Sequence, residues 1–161
     1  MTDYQPQPGQ YGQPAGYPPH GGAAAPGGLG RRFFARFIDG IFVGIVSYLL
    51  AFFTDSLSSI WVTGLFTGLL TFIYFVAFEV SQGWTPGKKI LGLSVRGAAT
   101  PKPTAKESAI RNSWTLLPIV PFVGGLLGVI AIIIIAVTIA GSSTKQGKHD
   151  ELAGGTQVLH G

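Results

Sequence analysis

The sequence predicts an all-α integral membrane protein. It should have three to four transmembrane helices, a short cytoplasmic loop with a strand in it, and a disordered N-terminal tail. Three observations carry that prediction. Of the 161 residues, 47% are hydrophobic and only 11% are charged, against roughly 25% charged in soluble globular chains. Apolar runs of membrane-crossing length recur along the chain. The Lys and Arg residues gather between those runs in a strongly one-sided way.

Residues 1–29, MTDYQPQPGQYGQPAGYPPHGGAAAPGGL, are rich in Pro, Gly, Gln and Tyr and have almost no aliphatic side chains. Such a segment buries too little apolar surface to offset the entropy of ordering, and is expected to be disordered. Tyr4, Tyr11 and Tyr17 recur in it, which suits either a plain flexible tail or a segment that docks a cytoplasmic partner. It holds no P-x-x-P spacing of the SH3-ligand kind. There is also no basic region followed by an apolar core near residue 1, so no cleavable signal is expected and the first apolar run should be an uncleaved span. A membrane domain should then occupy residues 30–160.

The first span is expected at 33–53 and the second at 60–80. Each is long enough for one crossing of about 30 Å. The short polar turn TDSLS between them makes the pair an antiparallel hairpin. Residues 81–104 are polar and basic. Residues 105–120, beginning AKESAIRN, read as a helix partly inserted in the bilayer. Residues 122–140 are strongly apolar and form the last span. Arg31, Arg32 and Arg36 precede the first span, Lys88, Lys89, Arg96, Lys102, Lys106 and Arg111 follow the second, and the turn has neither Lys nor Arg. The positive-inside bias therefore puts the N-terminus and the middle loop in the cytoplasm. With three spans the C-terminus lies outside. With four it is cytoplasmic, all eleven Lys and Arg lie on or near one side, and the charge rule favours that arrangement. Four spans leave Arg111 in the membrane and in need of a partner.

Intramembrane ionisable residues are the first functional suspects, because a charge at mid-span costs about 2.5 to 3.5 kcal/mol on insertion scales. Asp39 lies two helical turns past Arg32 on the same face, roughly 10 Å along the helix. Arg32, Arg36 and Arg111 are its candidate partners. Such a pair either fixes how the first helix packs or forms a cation or proton site in the bundle. Glu79 falls in the same half of the membrane. It either reaches the interface or serves as a second cation ligand beside Asp39. A stripe of small residues in the first helix, Gly40, Gly44, Ser47 and Ala51, and another at Gly64, Gly68 and Thr71, would let the hairpin helices approach closely. Homo-oligomerisation is the lesser reading of the same stripes. Gly124 and Gly128 repeat the spacing in the last span.

The loop GWTPGKKILGLSV, residues 83–95, is not a Walker A loop: one residue too few separates Gly83 from Gly87, and Lys89 stands where Ser or Thr is required. Thr85-Pro86-Gly87 reads as a turn, Lys88 and Lys89 as interfacial cations, and Leu91, Leu93 and Val95 as a strand. No cysteine is present, which excludes disulfides and thiolate chemistry. The histidines, His20, His149 and His160, lack metal-ligand spacing, and no G-x-S-x-G elbow occurs. The expectation is a protein that is not an enzyme and needs no cofactor or metal. Its net charge of +4 suits loops facing the cytoplasm better than nucleic-acid binding.

Three separated stretches resemble one family. RFFARFID, Arg32 to Asp39, is similar to the Arg-x-x-Ala-x-x-Ile-Asp opening of the RDD family of small bacterial membrane proteins. GWTPGKKILGLSV resembles that family's G-x-T-P-G-K-x-x-x-G-L-x-V loop, matching Gly83, Thr85, Pro86, Gly87, Lys88 and Gly92. KHDELAGGTQV, Lys148 to Val158, resembles its closing H-D-x-x-A-G-T-x-V segment. The tail before the domain resembles an actinobacterial arrangement. The resemblance makes Arg32, Asp39 and Asp150 the family's arginine and two aspartates. An extra glycine before Thr156 shifts that residue by one and weakens any role carried to it. The resemblance implies a polytopic protein of the bacterial inner membrane and a role in transport, with sodium–proton exchange in some members. The leading functional expectation is thus a cation- or proton-linked transport component, with Asp39 as site acid and Arg32 or Arg111 as counter-charge. The alternative is a membrane scaffold that recruits a cytoplasmic partner through its tail. The polar closing segment and its short GTQVL strand should pair with the loop strand ILGLSV on one side of the membrane.

Overall fold

A computed structural model describes residues 24–161. The disorder expected of the tail, with Tyr4, Tyr11, Tyr17 and His20, falls almost wholly outside the described residues. Its last part is structured. Ala25–Pro26 form strand β1, and helix α1 starts at Leu29.

Three helices are long and apolar enough to cross a membrane: α1 (Leu29–Phe53), α2 (Ile60–Gln82) and α5 (Gly124–Gly141). Their ends are set by local chemistry. Thr54 closes α1 with its hydroxyl on the Leu50 carbonyl at 2.7 Å. Ser59 caps the start of α2 through the Val62 amide. Gly83, at φ +77°, ends α2 in the left-handed conformation that glycine adopts without a Cβ clash. Between α2 and α5 lie α3 (Pro86–Ile90), β2 (Leu93–Arg96), α4 (Ala105–Asn112) and a 3-10 segment (Ser113–Ile119). Thr104 and Glu107 form a capping box at the start of α4. After α5 come α6 (Lys148–Leu152) and β3 (Gln157–His160).

The segment expected to enter the bilayer at 105–120 is broken rather than a continuous helix. Pro118 lies in its 3-10 part, which matches proline's inability to donate a helical bond. The segment nevertheless runs antiparallel along α2. Ser108 and Asn112 bond to Glu79 near the C-terminal end of α2, and the Pro118 carbonyl lies over Gly64 near its start. Fifteen residues of α2 separate those contacts, about 22 Å of helix.

One small antiparallel sheet, in the order β1-β3-β2, gathers residues before α1, after α3 and at the end of the chain. The expected pairing of the loop strand with the closing strand is present, with Val95 opposite Val158. Its apolar face packs as Leu93, Val95 and Val158 against Ala35 of α1. The Thr85-Pro86-Gly87 turn is instead the start of α3, with Thr85 as N-cap and Pro86 in the first turn, where its missing N–H costs nothing.

The helices are inside-out relative to a soluble protein. Phe33, Phe37, Ile45 and Ile133 are more than half exposed, while Asp39, Glu79 and Asp150 are fully buried. Apolar side chains outward and polar ones inward is the distribution a hydrocarbon solvent selects.

The small-residue stripes pack differently from expectation. The buried stripe of α1 is Ala35, Asp39, Val43, Ser47 and Ala51, at a strict spacing of four. Gly40 and Gly44 sit one position away and face open space. Gly64 and Gly68 do make a close approach, but to the 3-10 segment and not to α1. A Cβ on Gly64 would stand 2.8 Å from the Pro118 carbonyl oxygen, and one on Gly68 would stand 2.7 Å from Ile119. Gly64→Ala should therefore destabilise the protein by about 1 to 3 kcal/mol through overpacking. Gly44→Ala should be neutral or slightly stabilising, since alanine improves helix propensity. Thermal unfolding of both variants in detergent checks this, and equal destabilisation would contradict the packing.

Candidate functional site

Among the described residues, most buried polar side chains form two groups at the sheet end of the bundle. The first is built on Asp39. Its Oδ1 accepts from the Tyr74 hydroxyl at 2.7 Å and from the Gly87 amide at 2.8 Å, and its Oδ2 accepts from the Thr85 hydroxyl at 2.5 Å. No arginine pairs with it, contrary to the expectation of Arg32, Arg36 or Arg111 as its partner. Asp39 instead ties α1 to Tyr74 of α2 and to the first turn of α3, where unsatisfied amides and the helix dipole favour a negative charge. Gly87 has to be glycine there: a Cβ would collide with the Ala35 carbonyl oxygen and stand 2.9 Å from the Asp39 carboxyl carbon. The loop motif G-x-T-P-G-K thus exists locally as a receptor for the Asp39 side chain.

The second group is a chain of ion pairs. Glu79, expected from the sequence to reach the interface, is buried instead. Its Oε1 pairs with Lys88, and its Oε2 accepts from Ser108 at 2.8 Å and Asn112 at 2.9 Å. Lys88 is correspondingly not an interfacial cation but a buried one. Lys89, its neighbour, points outward over the Trp84 ring. Arg111 lies between the two acids, with Nε 3.7 Å from Glu79 and Nη1 2.7 Å from Asp150. Asp150 also pairs with Arg32 at 2.9 Å. Arg32 in turn donates to the Gly27 carbonyl at 2.9 Å and the Lys145 carbonyl at 2.5 Å. Two of the three residues that carry the family resemblance, Arg32 and Asp150, therefore meet directly across 118 positions of sequence. Gly83 and Gly92 act only through the backbone, both at positive φ, where they end α2 and lead into β2.

Burial alone would raise the Asp150 carboxyl. Arg111, Arg32 and the Gly147 amide outweigh it and hold the group down at about 2. Burial draws the Lys88 ammonium down to about 8, with Glu79 opposing, so it remains charged at neutral pH. Burial, and then the nearby Arg111, push the His149 imidazole down to about 3, so it is neutral there.

Several members of the network escape a reading of the sequence. His149 is largely buried beside Asp150 rather than part of a free end. Thr156 keeps its place despite the additional glycine. Gly154 and Gly155, at φ +92° and +96°, fold the chain back so that the Thr156 hydroxyl donates to Asp150 at 3.2 Å and accepts from Arg111 at 3.3 Å. Ser108, Arg111, Asn112 and Thr115 are all buried. They recur at the i, i+3, i+4, i+7 spacing of one helix face, so the inward face of this segment is its polar one. That periodicity is visible in AKESAIRNSWT, although a search for apolar faces passes over it. Arg36 stacks its guanidinium 3.6 Å from the Phe75 ring centre and 4.6 Å from that of Trp114, and it donates to Asn112 at 3.2 Å.

The lowered Asp150 carboxyl has a direct consequence for acid stability. Because its folded value lies below the ordinary 3.8, the stabilisation it gives is complete above that value and is lost as the pH falls toward about 2. The loss is expected to be on the order of 2 kcal/mol. Unfolding midpoints measured between pH 5 and 2 should show this fall, and Asp150→Asn should remove that part of the acid dependence. A flat profile over the same range would contradict the pairing.

No curated protein and no solved structure matches the chain. A sequence model of the RDD family matches residues 26–154, a range that begins at β1 and ends just past Asp150, so that it contains Arg32, Asp39, the Thr85–Lys88 loop and Arg111. With that match over most of its length, the chain belongs to the RDD family.

Proposed function

We propose that this protein is an integral component of the bacterial cytoplasmic membrane, with both ends of the chain in the cytoplasm. It serves there as a non-catalytic scaffold or binding subunit, and the Tyr-containing residues ahead of the membrane domain recruit a cytoplasmic partner. The orientation is supported by charge. The sheet joins the residues before α1, the loop after α3 and the closing segment at one end, and the α1–α2 turn at the other end has no Lys or Arg.

One observation favours a scaffold over a cation-linked transporter. Both oxygens of Asp39, and both of Glu79, are already occupied by the protein's own donors. A transported cation would have to displace Thr85, Gly87 or Lys88 to reach either carboxylate, and around Glu79 it would meet Lys88 and Arg111. Among the described residues no group of three or more His, Cys, Asp or Glu is placed to hold a metal ion. These carboxylates act as fasteners.

Two measurements test the proposal. In sealed proteoliposomes with imposed sodium or potassium gradients, the native chain should give no proton flux above protein-free vesicles. Asp39→Asn should lower the unfolding midpoint, since an amide nitrogen would oppose one of three donors at a cost of about 1 to 3 kcal/mol. Gradient-driven flux that disappears in a folded Asp39→Asn variant would establish the transport reading instead. For the orientation, the cysteine-free background allows single cysteines at Ser56 and Thr144. An impermeant thiol reagent applied to intact spheroplasts should label position 56 and leave position 144 unlabelled, and the reverse pattern would overturn it.

A further inference from the structure

A cavity of about 240 Å³ opens between α1 and α5 at the sheet end of the bundle. Its inner wall is made by Arg32, Arg36, Lys88, Arg111, Trp114 and His149. Its outer wall is apolar, with Phe33 and Phe37 on α1 facing Ile132, Ile135 and Ala136 on α5. Cationic floors under hydrocarbon walls are uncommon, because a charge that faces lipid must find a partner.

The floor is short of acceptors. Among the described residues five buried side-chain N or O atoms lack a hydrogen-bond partner: Arg36 Nη2, Arg111 Nε, Trp114 Nε1, His149 Nδ1 and Ser47 Oγ. The first four all belong to residues that line this cavity, and three of them, on Arg36, Arg111 and Trp114, are donors, since a neutral His149 with Nε2 toward Asp150 leaves Nδ1 without a proton. Unsatisfied buried donors of this kind cost about 1 to 3 kcal/mol each unless something accepts from them. The charges point the same way. Arg32, Arg36, Lys88 and Arg111 line the cavity, and the carboxylates ion-paired with them are Glu79 and Asp150, so positive charge is in excess there while His149 is neutral at neutral pH. An anion with several acceptor oxygens closes both deficits.

We propose that the cavity is a binding site for an anionic phospholipid. The phosphate would accept from Arg36, Arg111 and Trp114, and an acyl chain would leave between α1 and α5 along Phe37, Ile132 and Ile135. A phosphate suits the donors better than a carboxylate does, because its additional oxygens can accept from guanidinium and indole N–H groups on different residues at once. The apolar wall selects a lipid over free phosphate, and basic pockets between membrane helices on the cytoplasmic side recognise such head groups through the same chemistry. The site is separate from the Asp39 fastener, so it does not depend on the scaffold reading.

The test is native mass spectrometry of the delipidated full chain, titrated in parallel with phosphatidylglycerol, phosphatidylcholine, myristate and inorganic phosphate. One phosphatidylglycerol per chain is expected, bound at least about tenfold more tightly than phosphatidylcholine, whose phosphate is the same but whose choline ammonium would meet the cationic floor. Arg36→Gln should weaken it by a similar factor. Ala136→Phe, which fills the apolar side and leaves every charge in place, should weaken it as well and decides the matter if Arg36→Gln fails to fold. Equal binding of the two phospholipids, unchanged binding in Ala136→Phe, or binding of myristate or inorganic phosphate as tight as that of phosphatidylglycerol would each overturn the proposal.

Discussion

The fold depends on one constraint: three carboxylates, Asp39, Glu79 and Asp150, lie wholly inside a bundle whose exterior is hydrocarbon-like. A buried carboxylate is tolerated only where donors surround it, and breaking such a pair costs more than the pair contributes to stability relative to apolar residues. Each acid accordingly draws in a segment far away in sequence. Asp39 holds the α3 turn, Glu79 holds Lys88 and α4, and Asp150 holds α1 through Arg32 and α4 through Arg111. Between them these contacts fix the loop after α2 and the closing segment against the helices, and the sheet then forms where those segments meet.

This arrangement also explains why so short a chain can specify a unique structure in a solvent that offers no hydrophobic drive between helices. The apolar residues of α1 and α5 make almost no core of their own; they face outward. Specificity comes from polar pairing and from close backbone approach. Gly64 and Gly68 receive the 3-10 segment, and Gly87 receives α1. Polar networks inside a low dielectric are demanding, because every member must be satisfied. Among the described residues the unmet atoms are Ser47 Oγ on α1 and four atoms at the cavity between α1 and α5, where three of the four are donors on Arg36, Arg111 and Trp114.

Much of this was legible in the sequence. The long spans at 33–53, 60–80 and 122–140 follow from length and hydropathy, which depend only on local composition. The pairing of ILGLSV with the closing strand follows from alternation and from the need to satisfy backbone groups. Asp39 could be singled out because a charge inside an apolar run is conspicuous, and Arg32 and Asp150 through the family resemblance of the segments that hold them. Their partners could not be assigned. Asp39 bonds Tyr74, Thr85 and the Gly87 amide, which are neutral and so carry no charge pattern to search for. The expected stripe of α1 holds at Ser47 and Ala51, which are buried, but is one position off at Gly40 and Gly44, because a glycine does not by itself mark a contact. The buried face continues from Ser47 and Ala51 through Val43, Asp39 and Ala35, and Gly40 and Gly44 face outward. Lysine usually sits at the interface, and the sequence places Lys88 there; its burial depends on Glu79, at the end of the preceding helix.

The central claim, that ion pairs between remote segments organise the bundle, is tested most directly by a double-mutant cycle on Arg32 and Asp150. Unfolding free energies would be measured for Arg32→Gln, Asp150→Asn and the double variant in the same detergent. The account predicts that each single change is strongly destabilising and that the double change costs far less than their sum, with a coupling energy of about 2 kcal/mol or more. Additive costs would mean that the two side chains act independently, and would contradict it.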